Sequence, residues 1–400
     1  MDFRCPLCGK DRIHHASGCP FLRNMHVRRD LNEQAKQDFS GAVPNVFVGH
    51  HGYPDVNVGF LTAHDNEEKY DSPQLWIKKQ FQIPDIVDVR SQLVNSNFKA
   101  NIKKFDEKLK DMSAELSLAA KPVDVEVHLA KKPDFTMTFG KDIIPYGPSV
   151  QLVHARITEN PKIPEKVQRL VDDTDVKAAE ALTSLSKKGF DQHYLTKVFS
   201  VGNLGMPLQR KLVPTRWSIT AVDDTLGKDD LNKIRQFPVV DQDTVLIGNY
   251  LGNYFIVILF PRVWSYELFE FYAPAGTQQY TTDHEFFEGR KQYVEQTAGG
   301  YYACRISILN YLREKKRQAA VLVLRFVTSD YYIPLGVWVV REAVKKAMEA
   351  QPMTFSDQGL ALNYVKTYIK RKFDLSVEHI FKKSKLLQFM SMQKTLQAYS

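Results

Sequence analysis

Four hundred residues exceed what one ordinary domain needs, and 44% apolar with 25% charged residues is enough to bury a sizeable core, which excludes global disorder. No apolar run reaches the roughly 18 to 20 residues that a bilayer-crossing helix requires. Cys5, Cys8 and charged side chains stand where a secretion signal would be apolar, so the chain is expected to be cytoplasmic, with no membrane partner. The net charge of +8 sits at the ends: residues 1–30 carry six Lys/Arg against three acids, residues 361–400 carry eight against two, and the middle is close to neutral. Basic ends suit phosphate contact, hence nucleic acid, although a solvated surface has the same composition.

The chain opens on Cys5-Pro6-Leu7-Cys8-Gly9, followed by His14-His15 and Cys19-Pro20. Zinc needs four soft or borderline donors converging tetrahedrally, and Cys-x-x-Cys supplies two from one tight knuckle. Cys19 is the expected fourth ligand; His14 and His15 both have a spacing that fits the third. Four protein ligands make a closed, structural Zn2+ site. A redox Cys-x-x-Cys would open a helix in a βαβ context, which is absent. Cys304, far away, reads as a buried small hydrophobe.

Residues 31–85 look irregular, with short strands possible at Val46–Gly49 and Val56–Leu61. Val87–Leu118 reads as one helix that Pro122 ends, and Val123–Val127 alternates as a strand. Pro164–Lys188 reads as a second helix. Trp217–Val222 looks like a strand running into Asp223-Asp224, with Asp224 a possible cap for a helix from Lys228. Strands follow around Val245–Ile247, Tyr254–Phe260 and Tyr266–Tyr272, with Asn249–Asn253 as a hairpin turn. Ile306–Lys316 reads as helix, Ala320–Val327 as strand, and Val337–Ala350 and Leu360–Lys372 as helices. There is no Gly-rich dinucleotide fingerprint, no P-loop and no internal repeat. The expected fold class is α+β or irregular α/β. It comprises a zinc module at 1–30, a mixed two-lobed body at 31–235 and 236–385, and a tail at 386–400.

Two central groups carry possible chemistry. His154, Arg156, Arg216 and Asp223, at loop–strand junctions, would suit a pocket for a phosphate-bearing ligand, with salt bridges and helix capping as the plain alternative. An enzyme requires these four to converge. Gly299–Tyr302 and Tyr331–Glu342 place aromatics beside glycine, which suits base stacking or, more commonly, a core. The last eight residues follow Q-x-x-L-x-x-aromatic through Gln393, Leu396 and Tyr399. This resembles the sliding-clamp-binding peptide of replication and repair proteins: Leu396 and Tyr399 would plug an apolar pocket from one face of a short turn. Ser400 replaces the usual second aromatic, which predicts weaker binding.

Gly147–Arg156, Pro214–Lys228 (PTRWSITAVDDTLGK), Gly299–Tyr302 and Pro334–Val344 (PLGVWVVREAV) together resemble the Nre family of archaeal DNA repair proteins over nearly the whole chain. The resemblance implies repair of damaged DNA with recruitment through the sliding clamp (PCNA); it transfers no catalytic mechanism. The alternatives are a nucleotide- or DNA-processing enzyme centred on the His/Arg/Asp group and a non-catalytic clamp adaptor.

Overall fold

The structure is a computed structural model and describes residues 30–104, 106–135 and 147–392. Cys5, Cys8, His14, His15 and Cys19, and likewise Gln393, Leu396 and Tyr399, lie outside the described residues. The fold is mixed α+β with two sheets. By its contacts the chain forms two units. The first runs to Thr225 and takes in Tyr332–Leu335; the second starts at Leu226 and holds the rest.

Period-two burial builds the first unit. In β2 (Asp55–Ala63), Val56, Val58 and Phe60 point inward while Asp55 and Asn57 are exposed; in β3 (Val94–Asn101), Val94, Ser96, Phe98 and Ala100 are buried and Lys99 is exposed. With β1 (Asp38–Val48), β4 (Val123–Leu129) and β5 (Ser149–Ile157) these strands close a barrel in the order β1-β2-β3-β5-β4. All neighbours are antiparallel except β3 and β5, which are parallel. The long β1 serves both edges: Asp38–Val43 pair with β4 and Ala42–Val48 with β2, with a register shift between Ala42 and Asn45. Val46, Val58, Phe60, Phe98, Val125 and Leu152 fill the interior, each burial stabilising by roughly 1.5–3 kcal/mol.

Helices α1 (Pro73–Lys78) and α2 (Ile83–Ser91) lie between β2 and β3, and α3 (Glu107–Leu118) between β3 and β4. A closed five-stranded barrel in this order, with a helix between its third and fourth strands, has the connectivity of the OB-fold. After β5 come α4 (Glu165–Asp172), α5 (Ala178–Lys187), α6 (Gln192–Ser200) and α7 (Thr215–Ile234); the division between the units falls inside α7.

The second unit is a six-stranded sheet in the order β11-β6-β7-β10-β8-β9, formed by β6 (Asp243–Tyr250), β7 (Asn253–Phe260), β8 (Ser265–Tyr272), β9 (Tyr280–Glu285), β10 (Ala320–Val327) and β11 (Met353–Phe355). Its central strands are apolar on both faces because helices cover both. On one side lie α8 (Ala298–Lys315) and α9 (Trp338–Glu349); on the other, Ile256, Phe269 and Phe326 share a core with α10 (Gln358–Phe373), α11 (Glu378–Lys383) and α12 (Lys385–Met392). The β6–β7 hairpin turns through Leu251 and Gly252, both at positive φ (48° and 75°), as a two-residue turn demands.

Three expected elements differ. Val87–Leu118 is not one helix: α2 stops at Ser91 and the alternating Val94-Ser96-Phe98-Ala100 is drawn into the barrel as β3 before α3 begins. Trp217–Val222 is not a strand: its β-branched residues sit in α7, where Ser218, Val222, Leu226, Asp230 and Ile234 repeat every four residues on a buried stripe. Asp224 is therefore mid-helix and caps nothing. Pro164–Lys188 is interrupted between Asp172 and Ala178. Among the described residues no helix is long and apolar enough to cross a membrane.

Candidate functional site

Because Val58, Phe60 and Phe98 point into the barrel, their neighbours point out. Across the sheet Phe47 pairs with Gly59, Gly59 with Asn97, and Asn97 with Gln151; in the next row Leu61 pairs with Asn95, and Asn95 with Ser149. Phe47, Gly49, His51, Asn57, Gly59, Asn95, Asn97 and Ser149 line a cleft of about 150 Å³ on this outer face. Glycine forms its floor for a steric reason: a Cβ on Gly59 would lie 1.8 Å from Asn95 Oδ1. Asn97 donates its amide hydrogens to Ser149 Oγ (2.9 Å) and Val150 O (3.0 Å).

The β1–β2 loop borders this cleft. The His50 and His51 rings are 4.0 Å apart, and Tyr53 meets Trp217 of α7 at 5.1 Å and 56°. Tyr53 is 44% and Trp217 45% exposed. What brings α7 here is Thr215: its Oγ1 accepts a hydrogen bond from Val48 N (2.9 Å) at the end of β1 and lies 3.1 Å from Ser200 Oγ. Pro214 O accepts from Trp217 N and Ser218 N, starting the helix. Arg216 is thereby near His50, whose imidazole is held below its ordinary range by partial burial and by the charges of His51 and Arg216.

A second polar group lies within the first unit. Buried Asp71 accepts from Arg90 Nη2 (3.1 Å) and Asn45 Nδ2 (2.5 Å), with His193 Nε2 at 3.4 Å. Burial pushes the Asp71 carboxyl up, but His193, Arg90 and Asn45 outweigh it and hold it well below the carboxylate range. Arg90 also donates to Leu335 O (2.7 Å) and stacks over Trp76. Lys197, buried, donates to Ala119 O (3.0 Å), and burial pulls its ammonium down to about 8 against the opposing charges of Asp71 and Asp191. Asn45, Arg90 and His193 converge on Asp71 and tie distant segments together, which is the arrangement of a structural ion network.

The sequence-predicted central residues fall in two places. His154 and Arg156 project from the barrel exterior on β5, opposite His128 and Glu126 of β4, and Arg156 pairs with Glu126 at 2.9 Å. Arg216 is exposed in the first turn of α7, and Asp223, two turns on, is buried. None of the four lines the cleft on β2 and β3. Tyr301 and Tyr302 are buried in α8, and Gly300 is required there because a Cβ would lie 2.7 Å from Glu270 Oε1. They are core, not a stacking surface. Cys304 is fully buried, its thiol pushed up to about 12 by desolvation.

The outward Asn57, Asn95 and Asn97, the loop residues His50, His51 and Tyr53, and the contact of Trp217 with Tyr53 are absent from the residues singled out by sequence. The available signal was the Gly-, Asn- and His-rich composition of residues 31–85, which shows period two once Val56, Val58 and Phe60 are set against their polar neighbours.

No solved structure matches this chain. It is 35% identical to the DNA repair protein NreA of Haloferax volcanii over 90% of each chain. It is also 35% identical to the DNA repair protein NreA of Archaeoglobus fulgidus, over 93% of this chain and 95% of the relative, and 33% identical to DNA repair protein NreB of the same organism over 94% and 95%. The family descriptions "Archaeal Nre, N-terminal" and "Archaeal Nre, C-terminal" match residues 7–278 and 285–399. The barrel and the Thr215–Trp217 segment fall within the first match, the two matches together cover the second unit apart from residues 279–284 and Ser400, and the chain belongs to the archaeal Nre family.

Proposed function

We propose that this chain is a DNA repair protein that contacts DNA through its barrel face and basic ends and is brought to DNA by the sliding clamp. The observations that carry the DNA contact are the amide- and glycine-lined outer face of β2 and β3 and the exposed pair of Tyr53, in the β1–β2 loop, with Trp217, next to Arg216 in α7. The kinship to proteins named for DNA repair gives that contact its setting. The clamp contact rests on Gln393, Leu396 and Tyr399 at the end of a basic stretch containing Lys382, Lys383 and Lys385. Cys5, Cys8, Cys19 and one of His14 and His15 form a donor set suited to structural Zn2+, which would present Arg4, Lys10 and Arg12 as a basic surface.

The test is DNA binding by the full chain, followed by fluorescence anisotropy across a salt series. Affinity is expected to fall steeply with salt as counterions are released; a flat response would contradict the contact. In parallel, Leu396→Ala with Tyr399→Ala is expected to abolish clamp pull-down, and unchanged capture would remove the clamp from the proposal.

A further inference from the structure

We infer that the barrel face takes a single strand, held by its unpaired bases and not by its phosphates alone. The inference rests on the proposed DNA contact and names the form of DNA that the face selects. Three observations carry it.

Tyr53 and Trp217 stand side by side, each close to half exposed, with Tyr53 in the same loop as the cleft residue His51. Apolar rings left in water are stabilised when a flat π-face covers them, and every base offers one. In a duplex that face is already stacked on its neighbours; in a single strand it is free.

The cleft wall is amide, not ammonium. Asn57 and Asn97 line it, and the Asn97 amide nitrogen is already engaged by Ser149 Oγ and Val150 O, which leaves its oxygen as the group to meet a ligand. An amide oxygen matches the exocyclic amino group of adenine, cytosine or guanine and is a poor partner for a phosphate, which also only accepts.

The cations are few. On β2, β3, the β1–β2 loop and the first turn of α7, the Lys and Arg residues are Lys99 and Arg216. Duplex binding that reads no bases depends on many phosphate contacts at once. So small a number of cations suits the backbone of one strand on either side of a stacked base better than it suits a duplex. Thr215 holds the arrangement rigid by pinning α7 to the end of β1.

The experiment uses the full chain, a mixed-sequence 12-nucleotide single strand and a hairpin duplex of similar charge. Of the four tryptophans, Trp76 and Trp264 are 0% exposed, Trp338 is 7% and Trp217 is 45%. Stacking should therefore quench the fluorescence of Trp217, and the single strand is expected to quench it where the duplex does not. By anisotropy, Trp217→Ala and Tyr53→Ala should each weaken single-strand binding roughly tenfold or more, leaving duplex binding within about twofold. Trp217→Phe, which keeps a ring, should restore most of the affinity. Equal loss on both DNA forms, an unaffected Trp217→Ala, or preference for the duplex would overturn the inference while leaving the DNA contact standing. Failure of the unaltered chain to bind either form would overturn both.

Discussion

Val48 and Thr215, 167 positions apart in sequence, are joined by a 2.9 Å hydrogen bond from the Val48 amide to the Thr215 hydroxyl oxygen. Val48 ends the first barrel strand and Thr215 opens α7, so this contact sets Trp217 beside Tyr53 of the following loop. A side-chain acceptor is needed because Val48 N–H is a buried donor, and such a group left unpaired costs about 1–3 kcal/mol.

Thr215→Val keeps shape and removes the acceptor. It is expected to destabilise the first unit by about 1–3 kcal/mol in urea unfolding, while Thr215→Ser stays within about 0.5 kcal/mol of the unaltered chain. Equal behaviour of the two variants would show that the hydroxyl is not what pins α7.

Gly59→Ala places a Cβ where Asn95 Oδ1 lies. The Asn95 side chain must rotate off the floor of the cleft, at an expected cost of about 1–2 kcal/mol. Combining it with Asn95→Ala should recover most of that loss, giving a coupling energy above about 0.5 kcal/mol in a double-mutant cycle. Additive losses would place the strain elsewhere.

Lys197 predicts a pH dependence of definite sign. Its folded pKa is lowered to about 8 by burial, so above that pH the unfolded chain binds the extra proton and stability rises with pH. Relative to Lys197→Met, the unaltered chain is expected to gain about 2 kcal/mol between pH 7.5 and 9.5. A stability difference that stays flat or shrinks over this range would contradict the buried ammonium.

Glu267, buried on β8, accepts from Ser384 Oγ and from the amides of Lys385 and Leu386 (3.0 Å each), which begin α12. A carboxylate at a helix N-terminus satisfies free amides and complements the helix dipole. Glu267→Ala should cost about 1.5–3 kcal/mol and speed hydrogen exchange in α12 selectively. Uniform acceleration across the second unit would argue that Glu267 supports the sheet instead of the helix.

Much of the second unit was legible locally. Ala320–Val327 is a strand with the expected bounds, and the β6–β7 hairpin falls at Asn249–Asn253, since an apolar run bounded by turn residues carries its own signal. The first unit was less legible. Its strands are half polar, and β3 lies between two helices whose charged residues blurred it into one long helical run. Trp-Ser-Ile-Thr-Ala-Val in α7 has strand-like composition, and only burial of the four-residue stripe from Ser218 to Ile234 makes it helical.

The sequence by itself determined the mixed α+β class, the zinc-type spacing of the first twenty residues, and the family motifs, because each depends on residue types at short, countable intervals. Tertiary structure alone decided that Asn57, Asn97 and Gly59 share one face, and that Tyr53 meets Trp217. Barrel closure sets the first through pairing register, and one hydrogen bond across 167 residues sets the second. Neither distance is encoded in local periodicity. The aromatic pair and the amide-lined face, unlike the cysteine spacing, therefore become visible only when the chain is folded.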